Sequence, residues 1–253
     1  MHETLEFPDL LRLLDERSAA FSAAVTSAPD LDVRVPTCPE WTLADLVRHL
    51  GEGRYAWAAT VAAGPATAKS TPEGVPAAPE EPEALLAWLA GGTRRLRDAL
   101  REAGPDRGCW TWWGASQSPA TSGAVARHQL QQVAVHTYDA QITAGAPQPL
   151  PVDVALDGVE EFLTTCCATT SAWPHEPATV DYHATEGRSW RLRLSAAGAR
   201  VDRVPATDTA ADASARGTAG DLVLALYGRI PVDALELDGD RRLFDLLVAW
   251  EPE

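Results

Sequence analysis

Histidine and glutamine side chains recur at helical spacing in the segment Gly123 to Gln141, GAVARHQLQQVAVHTYDAQ. His128, Gln132 and His136 are four residues apart. On an α-helix each such step turns the side chain by only about 40°, so the three side chains lie along one stripe. Imidazole nitrogens and amide oxygens ligate metals, and helical bundles hold metals in their cores through facing helices. The segment therefore predicts one wall of a metal or catalytic pocket.

A second histidine, His49, follows a helical apolar pattern far upstream in the chain. The buried face of that helix is set by four apolar residues, namely Leu43, Leu46, Val47 and Leu50. His49 falls at the margin of this face, and Gly53, one turn later, leaves volume for a ligand or ion. An isolated histidine there is more simply a core-edge residue bonded to a carbonyl. The downstream histidines favour a shared pocket, which forms if the two helices pack face to face.

Trp110, Trp112 and Trp113 lie in the loop-like run CWTWWGASQSP. One interpretation is a lid of aromatic packing over a bundle end, and the other is an aromatic wall for a small organic ligand beside the histidines. The four cysteines show no C-x-x-C spacing, so reduced thiols are expected. Cys38, next to Pro39, is interpreted as a packed thiol, with an activated thiolate as the alternative.

Composition limits the classes of partner. The chain of 253 residues has a formal net charge of −15, which opposes binding to phosphate backbones and anionic lipid surfaces. Nucleic acid and membrane partners are therefore not expected, and a small-molecule substrate is. The sequence has no long apolar run and no apolar signal core at the start, so a cytoplasmic protein is expected. No heptad or exposed apolar stripe indicates an interface, and the oligomeric state stays open, a monomer included.

Four helices are predicted in the first part of the chain. Helical periodicity covers residues 8–27, a segment that begins after an N-cap at Thr42, residues 83–101, and a segment from 119 or 122 to 143. The run VRVPTCPEW holds two prolines and is predicted to be a connecting loop. Residues 64–82, rich in proline and alanine, form a long connection. These elements predict an all-α four-helix bundle over residues 1–148.

The pattern changes after residue 148. Residues 152–172 are predicted to be helical, and TVDYHAT, SWRLRLS and ARVDRV have the pattern of short antiparallel strands. GTAGDLVLALYGR predicts a helix closed by Gly228, and a last helix is expected over residues 241–250. Residues 149–253 are therefore predicted to be an α+β domain with a small, mainly antiparallel sheet.

Two motifs carry a family resemblance. VPTCPEWTLADLVRHLGE and VAVHTYDAQ resemble the second-helix and fourth-helix motifs of the mycothiol-dependent maleylpyruvate isomerase family, a branch of the DinB-like metalloenzymes. GTAGDLVLALYGR is similar to the sterol-carrier-like C-terminal module of that family. The resemblance spans nearly the whole chain and implies a DinB-like bundle followed by that module.

The resemblance implies a divalent metal, usually zinc, held by His49, Gln132 and His136. Gln132 departs from the family pattern, which has glutamate there, and a neutral amide oxygen is a weaker donor to a divalent ion than a carboxylate. In this arrangement His128 moves to the entrance of the site or to solvent, two turns away. Asp139 either orients His136 from behind or is solvated on the same helix.

The resemblance also implies chemistry with a thiol. Mycothiol is the expected thiol cosubstrate, and a metal with an open position would present it as a thiolate nucleophile. Arg229 matches a family arginine implicated near the active site, where it pairs with a substrate carboxylate; the alternative is an arginine that caps a helix C-terminus.

Two functions of different classes follow. The first is a mycothiol-dependent metalloenzyme, an isomerase or thiol S-transferase, acting on a small electrophilic molecule. The second is a non-catalytic, small-molecule-binding homologue in which Gln132 has weakened or abolished the metal site. A third reading, with less support, is hydrolysis by metal-bound water.

Overall fold

The structure is a computed structural model of the chain and describes residues 4–71, 74–205 and 211–251. These residues form two compact units, one of residues 4–112 and 120–149 and the other of residues 113–119 and 150–251. The limits expected from sequence, 1–148 and 149–253, remain a prediction. No helix in the described ranges is long and apolar enough to cross a membrane.

The first unit contains the four predicted long helices. They are α1 (Phe7–Ser27), α2 (Leu43–Ala63), α3 (Pro82–Ala103) and α4 (Ser122–Thr143). Helix α2 packs mainly against α3, and α1 mainly against α4. Their apolar stripes are buried between them, with fully buried leucines on each helix, for example Leu14, Leu46, Leu96 and Leu130. The prediction of an all-helical first unit is confirmed for its four long elements.

Helix α2 begins where the sequence predicts. The Thr42 hydroxyl accepts a hydrogen bond from the Asp45 backbone N–H at 3.1 Å, and the Asp45 carboxylate accepts one from the Thr42 backbone N–H at 2.9 Å. This reciprocal pair is a capping box, which satisfies two backbone donors that a helix start leaves free. The cap sets the register of the helix that carries His49.

The segment before Thr42 differs from the predicted loop. Strands β1 (Arg34–Val35) and β2 (Cys38–Thr42) form a short antiparallel pair, with Arg34 opposite Thr42. The two prolines of the segment exclude a helix, but an edge strand tolerates proline because one side of it needs no N–H donor. The expectation of an irregular connection is therefore wrong.

Glycine allows α2 and α3 to approach closely. A Cβ atom at Gly51 would overlap the Trp88 indole, with Cη2 only 2.6 Å away. The Trp88 indole N–H donates to the Pro76 carbonyl at 2.9 Å, which holds the ring in place. The close contact of the two helices therefore depends on the missing side chain at Gly51.

The second unit is built around a five-stranded mixed sheet of order β5-β4-β3-β6-β7. The strands are β3 (Ala178–Ala184), β4 (Ser189–Ser195), β5 (Gly198–Arg203), β6 (Ala213–Gly217) and β7 (Glu236–Gly239). All neighbouring pairs are antiparallel except β3 and β6, which are parallel. The predicted α+β class with a mainly antiparallel sheet is confirmed. Strands β6 and β7 were not predicted, because ASARG and ELDG lack the β-branched alternation that indicates strands.

Three helices accompany the sheet, α5 (Val152–Phe162), α6 (Ala219–Leu226) and α7 (Arg242–Ala249). The helix predicted over 152–172 is shorter than expected, since α5 gives way to a π-helical turn over Leu163–Cys167. Residues 164–170, TTCCATT, are rich in threonine, which disfavours the helix interior, and the Thr164 hydroxyl donates back to the Glu160 carbonyl.

Candidate functional site

The rings of His49 and His136 lie side by side in the first unit. Their centroids are 5.3 Å apart and the ring planes are nearly perpendicular, at 83°. Helix α2 supplies His49 and α4 supplies His136, so the prediction that these helices bring two imidazoles together is borne out by the geometry. Trp41 packs against both rings, at centroid distances of 4.7 Å from His49 and 6.4 Å from His136.

Asp139 holds the His136 ring from behind. Its Oδ2 atom lies 2.9 Å from His136 Nδ1, and the residue is 0% exposed. The Thr37 hydroxyl donates to the other carboxylate oxygen at 2.6 Å. A buried carboxylate beside Nδ1 favours the tautomer in which Nδ1 carries the proton, which leaves Nε2 as an acceptor or ligand. Of the two alternatives for Asp139, the contact with His136 is observed and the solvated position is wrong, while an effect of this contact on function stays a prediction.

Cys38 also lies beside the Asp139 carboxylate. Its sulfur is 4.0 Å from Oδ2, in the geometry of a weak donor, and the residue is only partly exposed. A thiol that donates to a carboxylate in this way is held by packing and a hydrogen bond, which supports the packed thiol.

Gln132 and Gly53 lie one turn from the two histidines. Gln132 precedes His136 by four residues on α4 and is partly exposed, so its amide lies on the same helical stripe. Gly53 follows His49 by four residues on α2, and a Cβ atom at this position would meet nothing within 4 Å. The open space expected beside His49 is therefore present.

The donor set fits a divalent cation only in part. Two imidazoles on one tetrahedral zinc ion, with Zn–N distances of about 2.0 Å, have centroids roughly 5 Å apart, which agrees with the pair seen here. The carboxylate behind His136 is the usual second partner of a ligating imidazole. However, no three His, Cys, Asp or Glu side chains of the described residues converge on a metal position. The family resemblance assigns the third position to the neutral amide of Gln132, and this assignment stays a prediction.

Trp110 and Trp112 belong to a cluster of aromatic rings around His128. Trp112 packs against His128 at 5.7 Å between centroids, while Trp57 lies 6.3 Å from His128 and 6.2 Å from Trp110. His128 is 5% exposed, so the expectation that it faces solvent is wrong; the neighbouring indoles bury it. Trp112 itself remains 51% exposed. An entrance role for His128 stays a prediction.

Trp113 differs from its two neighbours. It belongs to the second unit, is 2% exposed, and its indole N–H donates to the Pro119 carbonyl at 3.1 Å. These features are those of a packing residue, whereas Trp112 presents half of its surface to solvent. The packing interpretation therefore holds for Trp113, while an aromatic wall for a ligand stays a prediction for the tryptophan run.

Arg229 follows the C-terminal end of α6. Its guanidinium Nη1 donates to the Tyr227 carbonyl at 2.8 Å, and its backbone N–H donates to the Leu224 carbonyl at 2.7 Å. These contacts satisfy carbonyl groups that a helix end leaves free, which supports the capping interpretation. A role toward a substrate carboxylate remains a prediction for this residue.

Sequence reasoning did not identify Trp41 and Thr37 as members of the site. Both precede α2: Trp41 lies in β2 and Thr37 in the turn between β1 and β2, a strand pair that the sequence does not predict. The sequence spacing of Trp41 and His49 does not indicate that their rings meet. That contact depends on how the β1–β2 ribbon folds back on α2. The polar Thr37 in a proline-flanked turn was the available hint.

The chain combines a four-helix unit, which holds a pair of histidines, with an α+β unit. This combination defines a class of two-unit proteins. The chain matches the family "Mycothiol maleylpyruvate isomerase N-terminal domain" over residues 11–141 and "MDMPI C-terminal domain" over residues 153–246. The chain belongs to the mycothiol-dependent maleylpyruvate isomerase family, as its motifs predict.

Solved structures share this fold, among them two of a mycothiol-dependent maleylpyruvate isomerase. The crystal structure of the mycothiol-dependent maleylpyruvate isomerase has 16% sequence identity to this chain and a TM-score of 0.60. The match covers 92% of this chain and 93% of that isomerase's chain. A mutant of that isomerase, in which a histidine is replaced by alanine, is 14% identical with a TM-score of 0.57 and the same coverage. No curated protein sequence matches the chain.

Proposed function

We propose that this chain is a thiol-dependent isomerase that uses mycothiol as cosubstrate and acts on a small, electrophilic organic acid. The observation that carries the proposal is the His49–His136 pair with Asp139 behind it, in a chain that belongs to the mycothiol-dependent maleylpyruvate isomerase family. A thiolate supplies reversible addition to an electron-poor double bond, which is the chemistry that a cis–trans isomerisation needs.

The residues of the first unit have distinct roles in this proposal. Asp139 keeps the His136 Nδ1 proton in place, so that Nε2 points its lone pair away from the carboxylate. Trp41 packs against both imidazoles and shields them from water. Gly53 leaves room beside His49 for a ligand. Together these contacts preorganise the two imidazoles at one open position.

A divalent cation, zinc by preference, belongs to the proposal through His49, Gln132 and His136. Such an ion would lower the pKa of a bound thiol. The two histidines supply strong donors and Gln132 a weak one, so this set holds a cation less tightly than two histidines and a carboxylate would. Binding of the cation is therefore expected to depend on its concentration in the assay.

Arg229 is the proposed partner of a substrate carboxylate, since guanidinium pairs with carboxylates through two parallel hydrogen bonds. A loss of this contact would raise KM for an acidic substrate more than it lowers kcat. Trp110 and Trp112 are the proposed aromatic contacts for the organic part of the ligand. The sequence predicts Trp113 as a third member of this aromatic wall.

A second function is favoured by one observation. No three strong metal-ligating side chains converge among the described residues, and Gln132 supplies an amide where the family pattern has a carboxylate. A homologue with a weakened metal site could bind a small molecule without turning it over. The two functions predict the same ligand but differ in turnover.

The test is an isomerisation assay with maleylpyruvate, the substrate in the name of the structural relative. Untagged protein is incubated with mycothiol, with and without added zinc, and the cis substrate and the trans product are separated by chromatography. The proposal expects turnover that requires the thiol and is lost in His136→Ala. His175→Ala, a histidine variant at an exposed position of the second unit, is the matched control and retains activity. Binding of substrate without turnover at any zinc concentration would instead establish the non-catalytic function, and a stable thiol adduct would indicate an S-transferase.

A further inference from the structure

A cavity lies between the four helices of the first unit. Its volume is about 200 Å³, and each of α1, α2, α3 and α4 contributes to its wall. On α2 the wall is formed by Leu50 and Arg54, which lie four residues apart. This stripe is rotated by about 100° from the stripe of His49 and Gly53, so the cavity faces a different side of the helix.

Arg54 is a buried cation in this wall. The residue is 1% exposed, and Nη1 donates to the Gln129 side-chain oxygen at 3.2 Å and to the Gln129 carbonyl at 3.4 Å. The Nε and Nη2 atoms of Arg54 and the Nε2 atom of Gln129 are buried and have no hydrogen-bond partner among the described residues. All three unsatisfied atoms are donors, so the cluster lacks acceptors and negative charge.

Nearby charges do not balance Arg54 by direct contact. Asp15 acts on it electrostatically, but the Asp15 carboxylate forms its ion pair with Arg97 at 3.4 Å. Burial lowers the pKa of Arg54 to about 10, so the guanidinium remains charged at neutral pH. A second cation, Arg94, lies exposed in the same wall. Buried charges in proteins are paired, and this one borders a space in which a counterion fits.

The remaining wall indicates which anion suits the cavity. Phe21, Leu89 and Val133 contribute apolar surface. The wall hydroxyls of Ser22 and Thr93 donate to carbonyls of their own helices, at 3.1 Å each, so they are available to a ligand only after rotation. An apolar wall with guanidinium donors suits a carboxylate that carries a short aliphatic tail. A strongly hydrated phosphate would lose more solvation on entry.

We infer that the cavity bordered by Arg54 and Arg94 is a binding site for a short-chain aliphatic carboxylate, distinct from the histidine pair. The carboxylate supplies the acceptors that Arg54 and Gln129 lack, after a small shift of side chains toward the cavity, and the tail contacts the apolar wall. Arg94 contributes a second positive charge at the mouth. The inference does not depend on the proposed isomerase activity.

Calorimetric titration and thermal unfolding with sodium butyrate test the site. The wild-type protein is expected to bind butyrate saturably and to melt at a higher temperature with it, whereas butyramide and sodium chloride at equal ionic strength produce neither effect. Arg54→Met, of similar length and no charge, is expected to weaken butyrate binding at least about tenfold, as loss of a charged donor does. Arg95→Met, which removes an exposed arginine of α3 outside the cavity wall, is the control and binds as the wild type does.

Three results would overturn the inference. They are the absence of saturable butyrate binding, equal binding of butyramide, and wild-type affinity in Arg54→Met. If Arg54→Met does not fold, Ala90→Leu decides, because it fills the cavity with a good helix former and keeps Arg54. Loss of butyrate binding in the folded Ala90→Leu protein supports the site, and unchanged binding refutes it.

Discussion

The Nδ1 atom of His136 lies 2.9 Å from Oδ2 of Asp139, and the carboxylate that makes this contact is fully buried. Residues three apart on a helix are neighbours, so α4 itself places the pair in contact. The Thr37 hydroxyl then fixes the carboxylate from the β1–β2 ribbon. The orientation of the His136 ring is thus decided by two segments that are remote in sequence.

Replacing the carboxylate should impair the histidine site. In Asp139→Asn, the amide no longer favours the Nδ1-protonated ring, so turnover or metal affinity is expected to fall about 10-fold to 100-fold. Steady-state kinetics and zinc titration measure the two effects. Asp153→Asn, a carboxylate in the first turn of α5, is the control and should leave both unchanged. Equal kinetics in Asp139→Asn and the wild type would show that the hydrogen bond has no functional role.

The amide at position 132 should limit metal affinity. Gln132→Glu adds a charged oxygen one turn from His136, and we expect tighter zinc binding because a carboxylate is a stronger donor than an amide. Metal analysis of untagged protein, purified without chelator, compares the two forms. Gln141→Glu is the control, because Gln141 lies near the end of the same helix and is partly exposed. Gln131→Glu is not suitable, because the Gln131 side chain is buried. Equal zinc content in the wild type and in Gln132→Glu would remove Gln132 from the ligand set.

Two glycines of α2 should respond to an added methyl group in opposite ways. Gly51→Ala places a methyl group into the Trp88 ring and is expected to lower the free energy of unfolding by about 1–3 kcal/mol. Gly53→Ala meets open space and should raise it by about 0.5–1 kcal/mol, because alanine favours the helix interior. Urea denaturation measures both. Gly53→Ala also narrows the space beside His49. The KM of this variant therefore tests whether the substrate uses that space.

A buried ion pair in the second unit should stabilise the folded protein only while both of its partners are present. The Arg191 guanidinium meets the Asp181 carboxylate through two hydrogen bonds of 2.7 Å, with both residues buried. Arg191→Met leaves the carboxylate uncompensated and is expected to destabilise the protein by about 3–5 kcal/mol. The double variant Asp181→Leu, Arg191→Met should recover part of that loss in chemical denaturation. No recovery would mean that other contacts of Arg191 dominate.

The capping box of α2 predicts a pH dependence. Hydrogen bonds from the Thr42 backbone N–H and hydroxyl lower the pKa of the Asp45 carboxyl in the folded protein. A carboxyl with a lowered folded pKa stabilises the protein fully above its unfolded pKa of about 4 and loses that contribution as pH falls through the folded pKa. The difference in melting temperature between the wild type and Asp45→Ala should therefore be larger at neutral pH than in acid. A difference that does not change with pH would contradict the charge-dependent cap.

Much of the fold follows from local patterns. The four long helices of the first unit have apolar residues at helical spacing, and an N-cap residue at Thr42 marks where α2 begins. These signals are local, because hydrogen bonds and side-chain neighbours in a helix lie within four residues. Strand β6 has no comparable signal, since it is defined by parallel pairing with β3, about thirty residues earlier.

The sequence by itself determined that His49 and His136 lie on two amphipathic helices, that Gln132 shares the stripe of His136, and that the chain has the motifs of its family. Only the tertiary structure decided that the two imidazoles meet at 5.3 Å, that Trp41 covers them, and that His128 is enclosed by tryptophans. Helical spacing specifies which side of a helix a residue occupies but not which helix it faces. That choice depends on how whole apolar surfaces pack together.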